Sequence, residues 1–195
     1  MREERITSRK NPLLQQVRRL LDSKRERERA GLFAADGTKL LAEAVRYCAG
    51  LDTVILSDGV SAEVPEQVRL VRVPEDVMAS ISPMATPQGA VFLCRLPRQA
   101  DFAPAPGMLL LDGIQDPGNL GTILRTALGF GYLDIAVIRP AADCFDPHVI
   151  RASMGAIFSL RVTEYDDFDA YHRAFPGQRL YPFMLDGSML LGEAV

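Results

Sequence analysis

The stretch "LLLDGIQDPGNLGTILRTA", residues 109–127, decides the fold. An apolar run ends at Asp112, a turn rich in glycine and proline follows, and a helix-like pattern begins at once. Continuous apolar runs are typical of parallel strands buried on both faces. A second such run, "DIAVIR" at 134–139, follows the helix, so the three elements form a βαβ unit. The sequence therefore predicts an α/β fold with a parallel sheet.

The predicted helix of this unit has two different sides. Its apolar stripe comprises Leu120, Ile123, Leu124, Ala127 and Leu128, and the other side comprises Gly118, Gly121, Thr122, Arg125 and Gly129. We predict Asn119 as the N-cap, with the N–H groups of the first turn free to bind a phosphate or another oxyanion. Arg125 is always cationic and suits bidentate binding of phosphate.

From these residues alone, two interpretations of "DPGNLG" stay open. A turn of glycine and asparagine is what any junction of strand and helix uses, and Arg125 would then be a surface charge. Alternatively, the turn and Arg125 form an anion site. A dinucleotide site is disfavoured, because the G-x-G-x-x-G spacing is absent.

Composition limits the class of protein. The 195 residues, 48% of them hydrophobic, suffice for one large or two small folded domains. The N-terminus "MREERITSRK" lacks the apolar core of a secretory signal, so a soluble cytoplasmic protein is expected. Three scattered cysteines indicate small buried thiols rather than disulfides, and the two histidines fit neither a metal site nor a catalytic triad.

Charge is distributed unevenly along the chain. Residues 1–30 carry ten Lys and Arg against five acidic residues, although the net charge of the chain is −3. A basic arm on an acidic body suits an anionic partner such as RNA. A solvated helix face is the alternative, because "KRERER" alternates in sign and partly cancels itself.

The chain divides at "PRQADFAPAPG", whose prolines and closing glycine indicate a linker over residues 98–107. Residues 1–97 are predicted as a small α/β domain and residues 108–195 as a second α/β domain. The first domain is predicted to have helices over 11–21 and 38–49, a short helix after Pro74, and strands over 53–57, 68–73 and 89–96. In the second, "IFSLRV" and "RLYPFML" are predicted strands on either side of a helix near 166–175.

A second motif, "DPHVIRASMGAIFSLRV" at 146–162, follows the first. A short helix with Arg151 and Ser153 runs through Gly155 into an apolar run, and the small residues allow close approach of a backbone or a ligand. Together the two motifs resemble motifs one and two of the SpoU (TrmH-type) RNA 2′-O-ribose methyltransferases of the knotted SPOUT superfamily. The first part of the chain is similar to that family's ribosomal-protein-L30-like substrate-binding domain in three segments: "ITSRKNPLLQQVRRLL", "GLFAADGTKLLAEAV" and "SPMATPQGAVFLCRL". Asp36 stands where the family commonly has Glu.

This resemblance implies a fold, a reaction and a set of residues. Residues 1–97 would be the L30-like domain that binds RNA, and residues 108–195 the SPOUT-type methyltransferase domain. The enzyme would transfer a methyl group from S-adenosylmethionine to a ribose 2′-hydroxyl of rRNA, less so of tRNA, and would act as a homodimer. Arg125 would be the catalytic residue, with Asn119 shaping its surroundings. Ser153 and Gly155 would lie beside the cofactor, and RNA would bind Arg9, Lys10, Arg18, Arg19 and Arg151.

The resemblance also sets an expectation for the C-terminus. In the family, the segment similar to "RLYPFMLDGSMLLGEAV" precedes a glycine-rich loop and a third motif, which form the trefoil knot and supply most cofactor contacts. The sequence reaches Val195 before either. We expect residues 1–195 alone to bind S-adenosylmethionine weakly or not at all. An RNA-binding remnant without activity is the alternative to an incomplete methyltransferase.

Overall fold

The computed structural model describes residues 3–97 and 107–183. The strands are β1 (Glu3–Arg5), β2 (Leu32–Asp36), β3 (Leu51–Ser57), β4 (Arg69–Val73), β5 (Ala90–Arg95), β6 (Leu109–Asp112), β7 (Asp134–Ile138) and β8 (Arg161–Tyr165). The helices are α1 (Pro12–Asp22), α2 (Lys24–Ala30), α3 (Thr38–Tyr47), α4 (Glu75–Ala79), α5 (Pro117–Gly129), α6 (Pro147–Ala152) and α7 (Phe168–Ala174), with a 3₁₀ turn at Ala156–Phe158. The predicted linker lies outside the described residues except for Gly107.

The first sheet has five strands in the order β1-β4-β3-β5-β2. β4 pairs in parallel with β1 and β3, whereas β5 pairs antiparallel with β2 and β3. The predicted helix over 11–21 is confirmed, since Asn11 accepts a hydrogen bond from the backbone N–H of Leu13 and Pro12 occupies the first turn. α3 ends at Tyr47, earlier than predicted, because Cys48 already has extended backbone angles.

The second sheet is parallel, in the order β6-β7-β8. The strands predicted from "LLLD" and "DIAVIR" are confirmed, and all five residues of β7 are buried. The strand predicted over "IFSLRV" is wrong for its first half: Gly155 has φ of +89°, the chain turns through the 3₁₀ segment, and pairing begins only at Arg161. The mixed α/β fold with a parallel sheet is confirmed.

The strand predicted over 179–185 is not formed in its described part. Residues 179–183 are exposed and pair with no strand among the described residues. A strand needs a ladder partner for its backbone groups, so an apolar run without one stays irregular. Residues 184 and 185 lie outside the described part of the chain.

The two sheets share one hydrophobic core. A single cluster of buried side chains joins Phe33 and Leu41 of the first part to Leu120, Leu124 and Phe158 of the second. The rings of Phe33 and Phe158 stack with centroids 6.4 Å apart. The apolar stripe predicted on α5 is thus confirmed as a packing face, and the two parts of the chain bury it jointly.

Over residues 3–97 and 107–183, every helix is too short or too polar to cross a lipid bilayer.

Candidate functional site

The junction between β6 and α5 differs from its prediction at the cap. Asp116 is the N-cap, and its side chain accepts a hydrogen bond of 2.7 Å from the backbone N–H of Asn119. The prediction that Asn119 caps the helix is therefore wrong. Pro117 has the fixed φ that favours the first helical position, which places the cap one residue before it. One N–H of the first turn is already bound to a carboxylate, so a second anion has fewer donors there than predicted.

Arg125 lies in the interior of α5 with its side chain exposed to solvent. It makes no hydrogen bond or ion pair with any residue of the described ranges. Asn119 is also exposed. At about 100° and 1.5 Å per residue, Asn119 lies about 120° around the helix from Arg125 and about 9 Å along it. The structure therefore places both predicted residues on the surface of one helix, but on different sides of it.

Helix α6 packs closely against α5 at Gly121. A Cβ atom added to Gly121 would lie 2.5 Å from the Cβ of Ala152 and 2.7 Å from the backbone oxygen of Val149. The absence of a side chain at Gly121 therefore leaves room for α6. Because residues four apart share a helix face, Arg125 lies one turn beyond this contact on the same side of α5.

Two residues of the second motif make contacts within the chain. Ser153 is fully buried, and its hydroxyl donates a 2.8 Å hydrogen bond to the backbone oxygen of Ile150. Gly155 faces helix α3, where an added Cβ would lie 2.9 Å from the Cβ of Glu43. The described contacts of Ser153 and Gly155 are all with other residues of this chain. Their role beside a cofactor stays a prediction.

Arg151, a half-buried residue of α6, carries a charge that acts on a buried carboxylate of the first sheet. Asp36 ends β2 and is 6% exposed, and its Oδ2 atom has no hydrogen-bond partner among the described residues. Burial raises the pKa of Asp36, and a hydrogen bond with Ser82 and the charge of Arg151 only partly offset it. The sequence analysis names both residues separately, but nothing in their spacing indicates that their charges interact.

The basic residues predicted in the first part of the chain fall into two groups. Arg18 is half-buried and donates to the backbone oxygen of Ser80 at 2.9 Å and to its hydroxyl at 2.8 Å, so it joins α1 to the end of α4. Arg9 is exposed and pairs with Asp76 at 2.6 Å. Lys10 and Arg19 are exposed. Arg19 lines a surface cavity of about 480 Å³, whose lining also includes Arg29 and Arg69.

Comparison with known proteins matches both parts of the chain. Residues 106–190 match the SpoU rRNA Methylase family, and residues 11–91 match the MRM3-like substrate binding domain. Residues 106–190 belong to the SpoU rRNA methylase family. The SpoU segment contains β6, α5 and both motifs, whereas the substrate-binding segment contains α1 and Asp36.

Three relatives show how much of the chain is similar to known proteins. The rRNA methyltransferase 3 of Xenopus tropicalis mitochondria is 33% identical over 80% of the chain and 41% of its own length. The 23S rRNA (guanosine(2553)-2′-O)-methyltransferase RlmP of Bacillus subtilis is 28% identical over 82% of the chain and 64% of its own length. The AdoMet-bound rRNA methyltransferase structure from Sinorhizobium meliloti is 26% identical with a TM-score of 0.74, over 88% of the chain and 67% of that structure. The chain thus spans less than two thirds of the length of each of the two curated relatives.

Proposed function

We propose that this chain is part of an RNA methyltransferase that transfers a methyl group from S-adenosylmethionine to a ribose 2′-hydroxyl of rRNA. The exposed guanidinium of Arg125, which has no partner among the described residues, carries the proposal. An unpaired arginine held on a rigid helix is available for an external anion. The match of residues 106–190 to the SpoU rRNA Methylase family and the names of the relatives support this reaction.

S-adenosylmethionine would supply the methyl group, as the bound AdoMet of the Sinorhizobium meliloti relative supports. Arg125 would bind an RNA phosphate through two N–H groups and stabilise the negative charge that develops on the ribose 2′-oxygen as its proton leaves. Asn119 would orient the nucleotide through its exposed amide. α5 holds both side chains on one rigid element, about 9 Å apart along its axis, so the position of each is fixed before the RNA binds.

The substrate RNA would also contact the first part of the chain. Lys10 and Arg19 are exposed, and Arg9 and Arg151 lie within reach of solvent. Arg18 would act by holding α1 in place, because its guanidinium is already bonded to Ser80. The MRM3-like substrate binding match over residues 11–91 supports this assignment. Binding through phosphates should weaken steeply as salt concentration rises.

We further propose that the full-length protein works in the cytoplasm as a homodimer. The family resemblance supports the dimer. Light scattering on the purified full-length protein measures its mass, and a monomer at micromolar concentration would contradict the proposal.

The reaction is tested with the full-length protein that contains residues 1–195. Radiolabelled S-adenosylmethionine is incubated with unmodified rRNA, and the modified nucleotide is located by its resistance to alkaline cleavage. Arg125→Ala is expected to lower the rate by roughly 100-fold or more, because one electrostatic contact to the transition state is lost. The matched control is Arg173→Ala on α7, an exposed arginine far along the chain, which should leave the rate unchanged.

Two results would contradict the proposal. If the full-length protein binds rRNA but no preparation transfers a methyl group, the chain belongs to an RNA-binding protein without activity. If Arg125→Ala and Arg173→Ala retain equal rates, the reaction does not depend on Arg125.

A further inference from the structure

Cys48, which follows α3, and Cys94 of β5 lie close together in the first part of the chain. α3 ends at Tyr47, and the backbone N–H of Cys48 closes its last turn on Ala44. The chain then turns back along β5: Leu51 donates to the backbone oxygen of Cys48 at 3.1 Å and lies opposite Cys94 in the antiparallel ladder. Cys48 therefore packs against the buried cluster that contains Cys94.

The two thiols differ in access to solvent. Cys94 is completely buried, whereas Cys48 is half-buried and lines a surface cavity of about 730 Å³. Two arginines, Arg46 and Arg95, line the same cavity. Cys48 is therefore open to a small oxidant in this cavity, whereas Cys94 is shielded from solvent.

The thiols also differ in acidity. The thiol of Cys94 lowers the pKa of Cys48; burial opposes this effect, and the backbone of Gly50 adds to it. The pKa of Cys94 is raised well above its ordinary value by Cys48 and by burial. Cys144, which is buried elsewhere in the core, has its pKa raised to about 12 by burial. Thiolate is the nucleophilic form, so Cys48 is the reactive member of the three.

We propose that Cys48 and Cys94 form a reversible oxidative modification site, at which a hydroperoxide converts the two thiols to a disulfide. The thiolate sulfur of Cys48 attacks the peroxide oxygen, the O–O bond breaks, and hydroxide or alkoxide leaves and takes up a proton. The sulfenic acid on Cys48 is then attacked by the sulfur of Cys94, which loses its proton as water leaves. Two thiols are oxidised, one peroxide is reduced, and a dithiol restores the starting state.

The disulfide would tie the end of α3 to β5. Cross-linking residues far apart in sequence stabilises a fold mainly by restricting the unfolded chain. The oxidised protein should therefore unfold at a higher temperature than the reduced protein, and a dithiol should reverse the shift.

Peptide mass spectrometry tests the proposal on the full chain. The protein is treated with hydrogen peroxide, its remaining thiols are alkylated after unfolding, and the digest is analysed with and without dithiothreitol. The expected product is a peptide pair joined through Cys48 and Cys94, lighter than the two free peptides by two hydrogen atoms. Cys144→Ser is the matched control and should form the same pair.

Single substitutions separate the two steps. In Cys94→Ser the reaction should stop at the sulfenic acid of Cys48, which dimedone traps, and in Cys48→Ser the thiol of Cys94 should stay reduced. The wild-type digest decides the matter even if a variant does not fold. Recovery of Cys48 and Cys94 as alkylated thiols, or of Cys48 as sulfinic acid beside an intact Cys94, overturns the proposal.

Discussion

At the scale of single residues, Glu164 of β8 is bound by two cations. Its Oε2 atom lies 2.7 Å from Nη2 of Arg139 and 3.0 Å from Nζ of Lys24, which belongs to the first part of the chain. Burial alone would raise the pKa of Glu164. The hydrogen bonds and charges of Arg139 and Lys24 outweigh it and hold the pKa below its ordinary value.

This lowered pKa predicts how Glu164 contributes to stability as pH changes. The contribution is present above the pKa of an unfolded glutamate, about 4.3, and is lost as pH falls through the lower pKa of the folded state. Glu164→Gln should therefore lower the free energy of unfolding at pH 7 by about 1–3 kcal/mol. Urea unfolding measured between pH 7 and pH 3 should show the difference from wild type shrinking with falling pH.

Glu66→Gln is the control, because Glu66 is exposed. It should change stability by less than about 0.5 kcal/mol. A Glu164→Gln variant as stable as wild type at pH 7 would show that the two ion pairs contribute nothing.

At the scale of elements, the contact between α5 and α6 depends on the absence of a side chain at position 121. Gly121→Ala would place a Cβ atom 2.9 Å or less from two atoms of α6 and from the backbone nitrogen of Ser153, which follows it, and two of these three atoms are backbone atoms. Backbone atoms cannot move aside without shifting the helix, so we expect a loss of about 1–3 kcal/mol. Thermal unfolding followed by circular dichroism measures it.

The same helix offers a matched control. Gly129, the last residue of α5, has no atom within 4 Å of an added Cβ. Gly129→Ala should leave stability unchanged or raise it by up to about 1 kcal/mol, because alanine is the better helix former. Equal stability of the two variants would argue against tight packing at Gly121.

Local patterns were enough to predict some elements and insufficient for others. α1, β6 and β7 follow from an apolar stripe or run that is visible within a dozen residues. β1 comprises three exposed residues, "EER", and exists only through its pairing with β4. The turn at Gly155, where φ is +89°, delays the predicted strand until Arg161, and Glu43 from another part of the chain packs against this glycine.

Some features of the candidate site could likewise be predicted from the sequence, and others could not. The motif around α5 predicts Arg125 as a site residue. The structure places it exposed on α5, and its catalytic role stays a prediction. The cap at Asp116 was missed, although aspartate directly before proline is a known start signal. The charge of Arg151 acts on Asp36, although the two residues are far apart in sequence, and no local pattern encodes this interaction.

At the scale of the whole molecule, Arg27 of α2 joins the two parts of the chain. Its side chain is 4% exposed and binds Asp143 at 2.6 Å, while its Nη1 atom donates to the backbone oxygen of Leu20 at 2.7 Å. The alternating charges of "KRERER" suggested a solvated face, but this one arginine is buried against the second part.

Removing Arg27 should weaken the link between the two parts. Arg27→Ala leaves the largely buried carboxylate of Asp143 without its ion-pair partner, and we expect a loss of about 3–5 kcal/mol in the free energy of unfolding. Arg29→Ala on the same helix removes an exposed ion pair with Glu26 and should cost less than about 1 kcal/mol. Chemical denaturation followed by circular dichroism measures both, and losses of equal size would contradict the assigned role of Arg27.

The shared core of the two sheets limits how this protein can be recombined. Phe33 stacks on Phe158, and Gly155 packs against the side-chain stem of Glu43, so the contact surface of each part matches that of the other. A substitution that enlarges a side chain of one part at this contact needs a smaller side chain opposite it in the other part. The two parts are therefore not interchangeable modules: a first part taken from a relative would fit only together with the residues of the second part that it contacts there.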